Sequence, residues 1–228
     1  MSGPARPELR VLEDPAAEVA RELVETARRG GQIVLTGGSS PQRAYEMAAA
    51  AGADWSGATI WFGDERCVPP DDERSNFGMV QAALLSRIDG SPRVHRMEGE
   101  RGFEEAAGGY EELIRGELGD EPRWDVLLLG LGPDSHCASL FPNRPEKDVR
   151  DRLVVGVPEA GLEPWVPRVS LTIPALCAAR HVIFLVTGES KRDAVRRAFV
   201  DEDPASPAAH VRPDEGTLTV LLDAAAQP

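Results

Sequence analysis

Hydrophobic positions along the chain follow two patterns, one helical and one continuous. Where apolar residues recur at helical spacing, the pattern predicts a helix, and where a short run is mostly apolar, it predicts a buried strand. The predicted helices are residues 15–29, 41–52, 75–88, 103–118 and 189–200, and the predicted strands are residues 32–36, 58–62, 124–132, 168–173, 181–188 and 217–222.

The order of these elements predicts the fold class. Asp14 suits an N-cap, Pro15 the first helical position, and Gly30 and Gly31 the stop of the first helix. Because the strands are apolar without polar alternation and are separated by helices, they favour a mostly parallel sheet covered on both faces. We therefore predict an α/β fold, with a single three-layer α/β/α domain and a Rossmann-like sheet over residues 1–228. Ligands of such sheets bind beyond the carboxyl ends of the strands.

Composition limits the partners. The net charge is -13 and no basic block offsets it, which argues against nucleic acid or an anionic membrane. The opening segment MSGPARPELR lacks the apolar stretch of a signal peptide, and no apolar run is long enough to span a bilayer, so we expect a soluble, cytoplasmic protein. Cys67, Cys137 and Cys177 are odd in number and widely spaced, which favours free thiols over disulfides or zinc ligands.

A glycine-rich turn follows the strand at 32–36, in LTGGSSPQRAYE. Gly37 and Gly38 allow the backbone to approach a ligand closely, and Ser39 or Ser40 can cap a helix that begins at Pro41. Free N–H groups at that helix start, with two hydroxyls, suit a phosphate. An ordinary capped turn fits the same residues, and the triphosphate and dinucleotide motifs are absent.

Mixed charges follow the strand at 58–62, in WFGDERC. Asp64 and Arg66 stand where an α/β sheet places its site, so they line a site or form a structural ion pair at the strand end. The acidic segment PPDDER beyond them is typical of a solvated loop.

The stretch LLLGLGPDSHCASLFP crowds reactive residues behind a buried strand. Neighbouring side chains point in different directions, which predicts that Asp134, Ser135 and His136 do not assemble a Ser–His–Asp arrangement among themselves, and the G-x-S-x-G motif is missing. No second histidine lies at metal-ligand spacing. His136 is then either a structural histidine or a general acid or base.

Two further cations follow or open strands. Arg168 opens the strand at 168–173, and Lys191 lies near the start of the helix in VTGESKRDAV. A lysine is unfavourable at a helix N-terminus, which suggests an anion that compensates. Two ordinary surface cations are the alternative.

Taken in order, five segments resemble the 6-phosphogluconolactonase family: LTGGSSP, GDERCVPPDDERSNF, LLLGLGPDSHCASLFP, RVSLTI and VTGESK. DPASPAAH and LTVLLDAAA fit the family's C-terminal pattern, so the resemblance covers nearly the whole chain. It implies a fold similar to that of glucosamine-6-phosphate deaminase. It also implies hydrolysis of 6-phospho-D-glucono-1,5-lactone to 6-phosphogluconate in the oxidative pentose phosphate pathway. We expect no cofactor and no metal.

The resemblance also implies roles for individual residues. Asp64 and Arg66 would line the reacting end, and His136 would be the general base. The sugar phosphate would be held by Gly37, Gly38, Ser39, Ser40, Arg168 and Lys191.

Three residues depart from the family pattern. Ser135 and Cys137 stand in GPDSHC where the family usually has Gly and Thr, and Ser40 replaces the commoner Thr. If the turn requires a positive φ, Ser135 is expected to strain it by about 1–2 kcal/mol and to displace His136.

The mechanism we hypothesise is direct hydrolysis of the ester. Neutral His136 takes a proton from the attacking water and returns it to the ring oxygen. Arg66 stabilises the oxyanion or orients the lactone, and Asp64 positions Arg66 or His136. No covalent nucleophile is required.

Two alternatives stay open at this point. One is a glucosamine-6-phosphate deaminase/isomerase with Asp64 as its base, and the other is a non-catalytic module that binds sugar phosphates. In the preferred interpretation the partner is a small sugar-phosphate lactone, and the protein is a monomer or small homo-oligomer.

Overall fold

The strands and helices alternate along most of the chain. The structure, a computed structural model, describes residues 5–228. The strands are β1 (Pro7–Val11), β2 (Gln32–Leu35), β3 (Thr59–Phe62), β4 (Asp64–Arg66), β5 (Arg93–Val94), β6 (Val126–Leu129), β7 (Val154–Val157), β8 (Arg168–Leu171), β9 (His181–Val186) and β10 (Thr217–Leu222). The helices are α1 (Pro15–Arg28), α2 (Ser39–Ala50), α3 (Asn76–Val80), α4 (Phe103–Leu118), α5 (Ile173–Cys177) and α6 (Arg192–Phe199).

Seven parallel strands form the central sheet, in the order β1-β10-β9-β6-β2-β3-β5. Strands β3 and β6 are buried along their whole length, and β9 is buried after its first residue, because helices flank the sheet. This confirms the predicted α/β fold with its mostly parallel, Rossmann-like sheet.

A second, antiparallel sheet of order β4-β8-β7 departs from the prediction. The sequence interpretation treated residues 64–66 as a loop and counted residues 168–173 among the strands of the parallel sheet, and both assignments are wrong. Gly63 is the point of transfer, since its N–H donates to Leu35 O at 2.9 Å and its carbonyl accepts from Leu171 N at 2.8 Å. The chain thus leaves the central sheet at Gly63 and pairs elsewhere at once.

The helix signals in the sequence are mostly reproduced. Asp14 caps α1 by accepting from Ala17 N at 3.3 Å, and Pro15 is its first residue. Ser75 caps α3 by accepting from Gly78 N at 3.0 Å. The helix predicted over 75–88 is α3 followed by a π-helical turn over Gln81–Leu85.

Buried apolar side chains from both sheets and the helices form one continuous core, which includes three fully buried tryptophans. Two of their indoles have acceptors: Trp61 Nε1 donates to Gln32 Oε1 at 2.7 Å and Trp124 Nε1 to Ala175 O at 2.9 Å. One core supports the single-domain prediction, which stays a prediction.

No helix among residues 5–228 is long and apolar enough to cross a membrane. The first four residues of the N-terminal segment considered above lie outside the described residues.

A buried carboxylate joins the second sheet to helix α3. Glu65 on β4 accepts from Asn76 N and Phe77 N at 2.7 Å each, from Ser75 Oγ at 3.0 Å and from Arg66 N at 2.7 Å. Burial raises the pKa of Glu65, and the backbone hydrogen bonds offset only part of that rise. The carboxylate therefore fixes where α3 begins relative to β4.

Replacing Glu65 by Ala should lower the free energy of unfolding by about 3 kcal/mol, because each donor left buried without an acceptor costs about 1–3 kcal/mol. Glu112→Ala, on the exposed face of α4, is the matched control and should change stability by about 0.5 kcal/mol or less. Urea denaturation of both variants measures the difference. Equal stabilities would contradict this role for Glu65.

Candidate active site

A cavity of about 270 Å³ opens at the carboxyl ends of the central strands. It collects side chains and backbone from the loops after β2, β3, β6 and β9 and from strand β8. The structure brings every residue of the predicted site to its wall: Gly37, Gly38, Ser39, Ser40, Asp64, Arg66, His136, Arg168 and Lys191.

His136 is held in a tight turn after β6. The turn is closed by Gly132 N donating to His136 O and by Ser135 N donating to Gly132 O, both at 2.9 Å. A Cβ on Gly132 would lie 2.0 Å from His136 Nδ1, so this position requires glycine. The Phe141 ring packs against the imidazole, with 4.7 Å between the ring centres.

Asp134 pairs with His136, a contact that the sequence interpretation did not predict, and Ser135 takes no part in a Ser–His–Asp arrangement. Its Oδ1 lies 2.6 Å from His136 Nδ1 and accepts from His136 N at 3.1 Å. Residues two apart can meet here because the turn reverses between them, while the Ser135 hydroxyl donates to Asp134 O. An Asp–His pair therefore forms without a serine nucleophile.

The pairing also sets the charge of Asp134. Burial raises the pKa of this carboxyl, but the hydrogen bonds and charge of His136 outweigh that effect and leave the pKa below its ordinary value. Asp134 is thus ionised near neutral pH, and its Oδ1 can accept a hydrogen bond from His136 Nδ1–H. His136 Nε2 makes no hydrogen bond to residues 5–228, so this nitrogen is available to a ligand in the cavity.

Ser135 adopts a left-handed conformation with φ of 70°, as expected at a position where the family usually has glycine. The expected strain is therefore present. The expected displacement of His136 is not, since the ring lies on the cavity wall and contacts Asp134.

Cys137 does not offer a nucleophile. Its side chain is buried, and burial raises the pKa of the thiol well above its ordinary value. The cysteines are free, as expected.

The glycine-rich turn leads directly into α2. The helix begins at Ser39, with Gly38 as N-cap at φ of 113° and without a side-chain cap, so the predicted start at Pro41 with a serine cap is wrong. The Ser40 hydroxyl is instead 2.6 Å from Thr187 Oγ1, at the end of β9. The first N–H groups of α2 have no partner within the helix, and the residues that carry them, Ser39 and Ser40, line the cavity.

The three predicted cations lie at the cavity without an acidic partner. Arg66 and Arg168 are directly opposite each other in the β4–β8 pairing. Arg168 is 4% exposed and donates to Leu162 O and Pro164 O, and Lys191 Nζ donates to Leu131 O at 2.7 Å. Burial lowers the pKa of both Arg168 and Lys191. Within the described part of the chain, none of the three forms a salt bridge, which leaves the cavity ready for an anion.

Asp64 is bound differently from the prediction. Its Oδ2 accepts from Ser139 Oγ at 2.7 Å and its Oδ1 from Asn76 Nδ2 at 3.3 Å. It contacts neither Arg66 nor His136, so the expected positioning of those residues by Asp64 is wrong. Ser139 also lies 3.5 Å from Arg168 Nη1, and it thereby links the carboxylate to that cation.

Sequence reasoning missed several residues of the site, namely Asn76, Asp134, Ser139, Phe141 and Thr187. Asp134, Ser139 and Phe141 are within the stretch already singled out, but their contacts depend on the shape of one turn. Among residues 5–228, no three side chains of the kinds that bind metals converge.

Sequence and structure comparisons both find known proteins that match nearly the whole chain. A family model described as glucosamine-6-phosphate isomerases/6-phosphogluconolactonase matches residues 9–220. The 6-phosphogluconolactonase of Nostoc sp. is 37% identical over 233 residues, covering 95% of this chain and 95% of that protein. The structure of 6-phosphogluconolactonase from Trypanosoma cruzi superposes with a TM-score of 0.85 at 27% identity, covering 99% of this chain and 97% of that one.

A monomeric glucosamine-6-phosphate deaminase also superposes, with a TM-score of 0.81, covering 97% of this chain and 98% of that one. At 19% identity this likeness concerns the fold alone.

Strain at Ser135 can be measured with two variants. Ser135→Ala keeps the side chain that opposes a positive φ, whereas Ser135→Gly removes it, and both lack the hydroxyl. The Gly variant should therefore be more stable than the Ala variant by about 1 kcal/mol, because glycine adopts this conformation without the steric cost. In thermal unfolding we expect a difference of about 2–4 °C. An Ala variant as stable as the Gly variant would show that the turn is unstrained.

Proposed function

The chain belongs to the family of glucosamine-6-phosphate isomerases and 6-phosphogluconolactonases, and we propose that His136 is the general base with which it hydrolyses 6-phospho-D-glucono-1,5-lactone. The product is 6-phosphogluconate, in the oxidative pentose phosphate pathway. The observation that carries the role of His136 is its pairing with Asp134 on the wall of a cavity that holds unpaired cations.

The Asp134–His136 pair prepares the base. Asp134 accepts a hydrogen bond from Nδ1–H, which selects the tautomer whose lone pair is on Nε2. Nε2 takes a proton from water as the water oxygen attacks the lactone carbonyl, and the tetrahedral intermediate forms. The same proton then passes to the ring oxygen as the bond between the carbonyl carbon and the ring oxygen breaks, so His136 ends neutral.

Arg66 stabilises the negative charge that develops on the carbonyl oxygen. It lines the cavity and is the pairing partner of Arg168 between strands β4 and β8. The two guanidinium groups together make this wall strongly positive. Asp64 faces Arg168 through Ser139, so it keeps that cation in place without neutralising it by direct contact. Lactones are activated esters, and a charged wall with one base suffices for their hydrolysis.

The phosphate binds at the start of α2. Gly37, Gly38, Ser39 and Ser40 offer free N–H groups and hydroxyls, and Lys191 lies across the cavity at the end of β9. Arg168, in the same cavity, adds to the positive potential that attracts a dianion.

We further propose a cytoplasmic protein that works as a monomer or small homo-oligomer. Its free cysteines and acidic surface suit a reducing compartment without nucleic-acid partners. An assay with freshly generated lactone, corrected for spontaneous hydrolysis, tests the activity, and ammonia release from glucosamine-6-phosphate tests the deaminase alternative.

Replacing His136 by Ala should lower kcat by about 10²–10⁴, because the proton acceptor is removed, with a much smaller change in KM. His136→Asn should not recover turnover, since an amide cannot accept the proton at neutral pH. Thermal unfolding and binding of 6-phosphogluconate serve as controls for the fold and the phosphate site. A folded His136→Ala protein that keeps most of its turnover would show that another residue is the base.

Removing the phosphate from the substrate should lower kcat/KM. The lost transition-state binding should amount to several kcal/mol, on the order of the charge-assisted hydrogen bonds that the phosphate makes. Lys191→Ala should weaken hydrolysis of the phosphorylated lactone and leave that of gluconolactone nearly unchanged. Arg192→Ala, next in the chain but exposed and paired with Glu189, is the matched control. Equal kcat/KM values for the two lactones would contradict the phosphate site.

A further inference from the structure

Asn76 is a buried polar residue on the cavity wall to which the mechanism gives no role. It is the first residue of α3 and is only 2% exposed. Its backbone N–H is fixed by Glu65, so the start of the helix presents the Asn76 side chain to the neighbouring Asp64.

The Asn76 amide and the Ser139 hydroxyl divide the Asp64 carboxylate between them. Asn76 Nδ2 donates to Asp64 O at 2.9 Å and to Asp64 Oδ1 at 3.3 Å. Ser139 Oγ donates to Oδ2 at 2.7 Å. Each carboxylate oxygen therefore has one neutral donor, and the two donors come from different elements, from α3 and from the turn after β6.

The amide oxygen of Asn76 shows what determines the orientation of this side chain. Asn76 Oδ1 is buried and has no hydrogen-bond partner. It packs on Gly37, where a Cβ would lie 1.9 Å away from it. A buried acceptor without a donor is costly, so the orientation is not the best one for the Oδ1 end. Turning the amide over would bring its oxygen against two acceptors of Asp64, and the donation to Asp64 is what prevents this.

We propose that Asn76 is a positioning residue for Asp64 in the lactone hydrolysis proposed above, acting by neutral hydrogen-bond donation to the carboxylate. Asp64 in turn faces Arg168 through Ser139, so a change at Asn76 reaches the charged wall of the cavity through these hydrogen bonds. The inference rests on the proposed function, because hydrolysis of the lactone is the reaction whose rate is affected.

Asn76→Asp tests this with a side chain of the same shape. Two carboxylates then face each other, and the pair retains a proton to a higher pH than a single Asp does. With that proton bound, the introduced carboxyl group can donate to Asp64 as the amide did; without it, the two carboxylates repel and Asp64 moves. We expect kcat about 10–100-fold below wild type near pH 8, with the ratio of variant to wild type rising toward one as the pH falls to about 6.

The ratio of the variant kcat to the wild-type kcat separates the effect of residue 76 from the effects of its surroundings. Other titratable or charged groups face this carboxylate in both proteins, so their titration cancels in the ratio; they are Tyr45 on α2, Glu65 and Arg66 on β4, Cys137 and His136 after β6, and Arg168 on β8. Asn143, the chain's other asparagine, is exposed, and Asn143→Asp is the matched control with a ratio near one at every pH.

A second variant keeps the inference testable if the first does not fold. Asn76→Ser is too short to reach the Asp64 carboxylate, and it should lower kcat at least about tenfold while KM changes much less. Thermal unfolding of each variant is measured first.

The outcomes separate the two proposals. An active wild type with a folded Asn76→Asp variant whose rate ratio is independent of pH, or an Asn76→Ser variant with unchanged kcat, would overturn the role of Asn76 alone. A wild type that does not accelerate lactone hydrolysis would overturn the proposed function as well.

Discussion

The parallel arrangement of the central strands is the constraint on which the site depends. In a parallel sheet every strand ends at the same edge, and neighbouring strands are about 4.8 Å apart. The spatial order β9-β6-β2-β3 therefore brings together four loops that lie far apart in the chain. The glycine-rich turn, the transfer point at Gly63, the His136 turn and the Lys191 segment meet because their strands are neighbours. A single cavity follows from the strand order alone, before any side chain is considered.

The electrostatics of the cavity oppose those of the molecule as a whole. A chain of net charge -13 repels an anionic ligand at long range, but this repulsion is screened beyond about 8 Å at physiological ionic strength. Inside the cavity, Arg66, Arg168 and Lys191 have no acidic partner in the described chain, and burial lowers the pKa of the last two. Buried positive charge without compensation is unfavourable. An anion that enters would offset this cost, which is the physical basis of the phosphate site proposed above.

Sequence patterns predicted the parts of the molecule that depend on local chemistry. The continuous apolar strands, the cap at Asp14 and the helix that starts near Ser75 follow from hydrophobic burial and local hydrogen bonding, and the structure has them. The short strand at 64–66 could not be predicted, because its pairing partner β8 lies about a hundred residues away and its own residues are charged. The contacts of Asn76 and Ser139 with Asp64 are equally non-local, so no spacing in the sequence reveals them.

The Asp134–His136 pair shows a different limit, since everything it needs lies within one turn of the chain. Consecutive side chains diverge in regular structure, and the sequence argument, which addressed a full Ser–His–Asp arrangement, assumed regular structure and so did not predict the pair. At φ of 70°, Ser135 is outside that regime and reverses the chain, which brings the residues before and after it to one side. The steric strain at Ser135 and the pairing of Asp134 with His136 are thus two results of one backbone conformation. A turn built this way keeps His136 and Asp134 together even if the surrounding loops move. Asp64 is the opposite case: its two donors come from separate elements, and its orientation depends on the packing of the whole cavity wall.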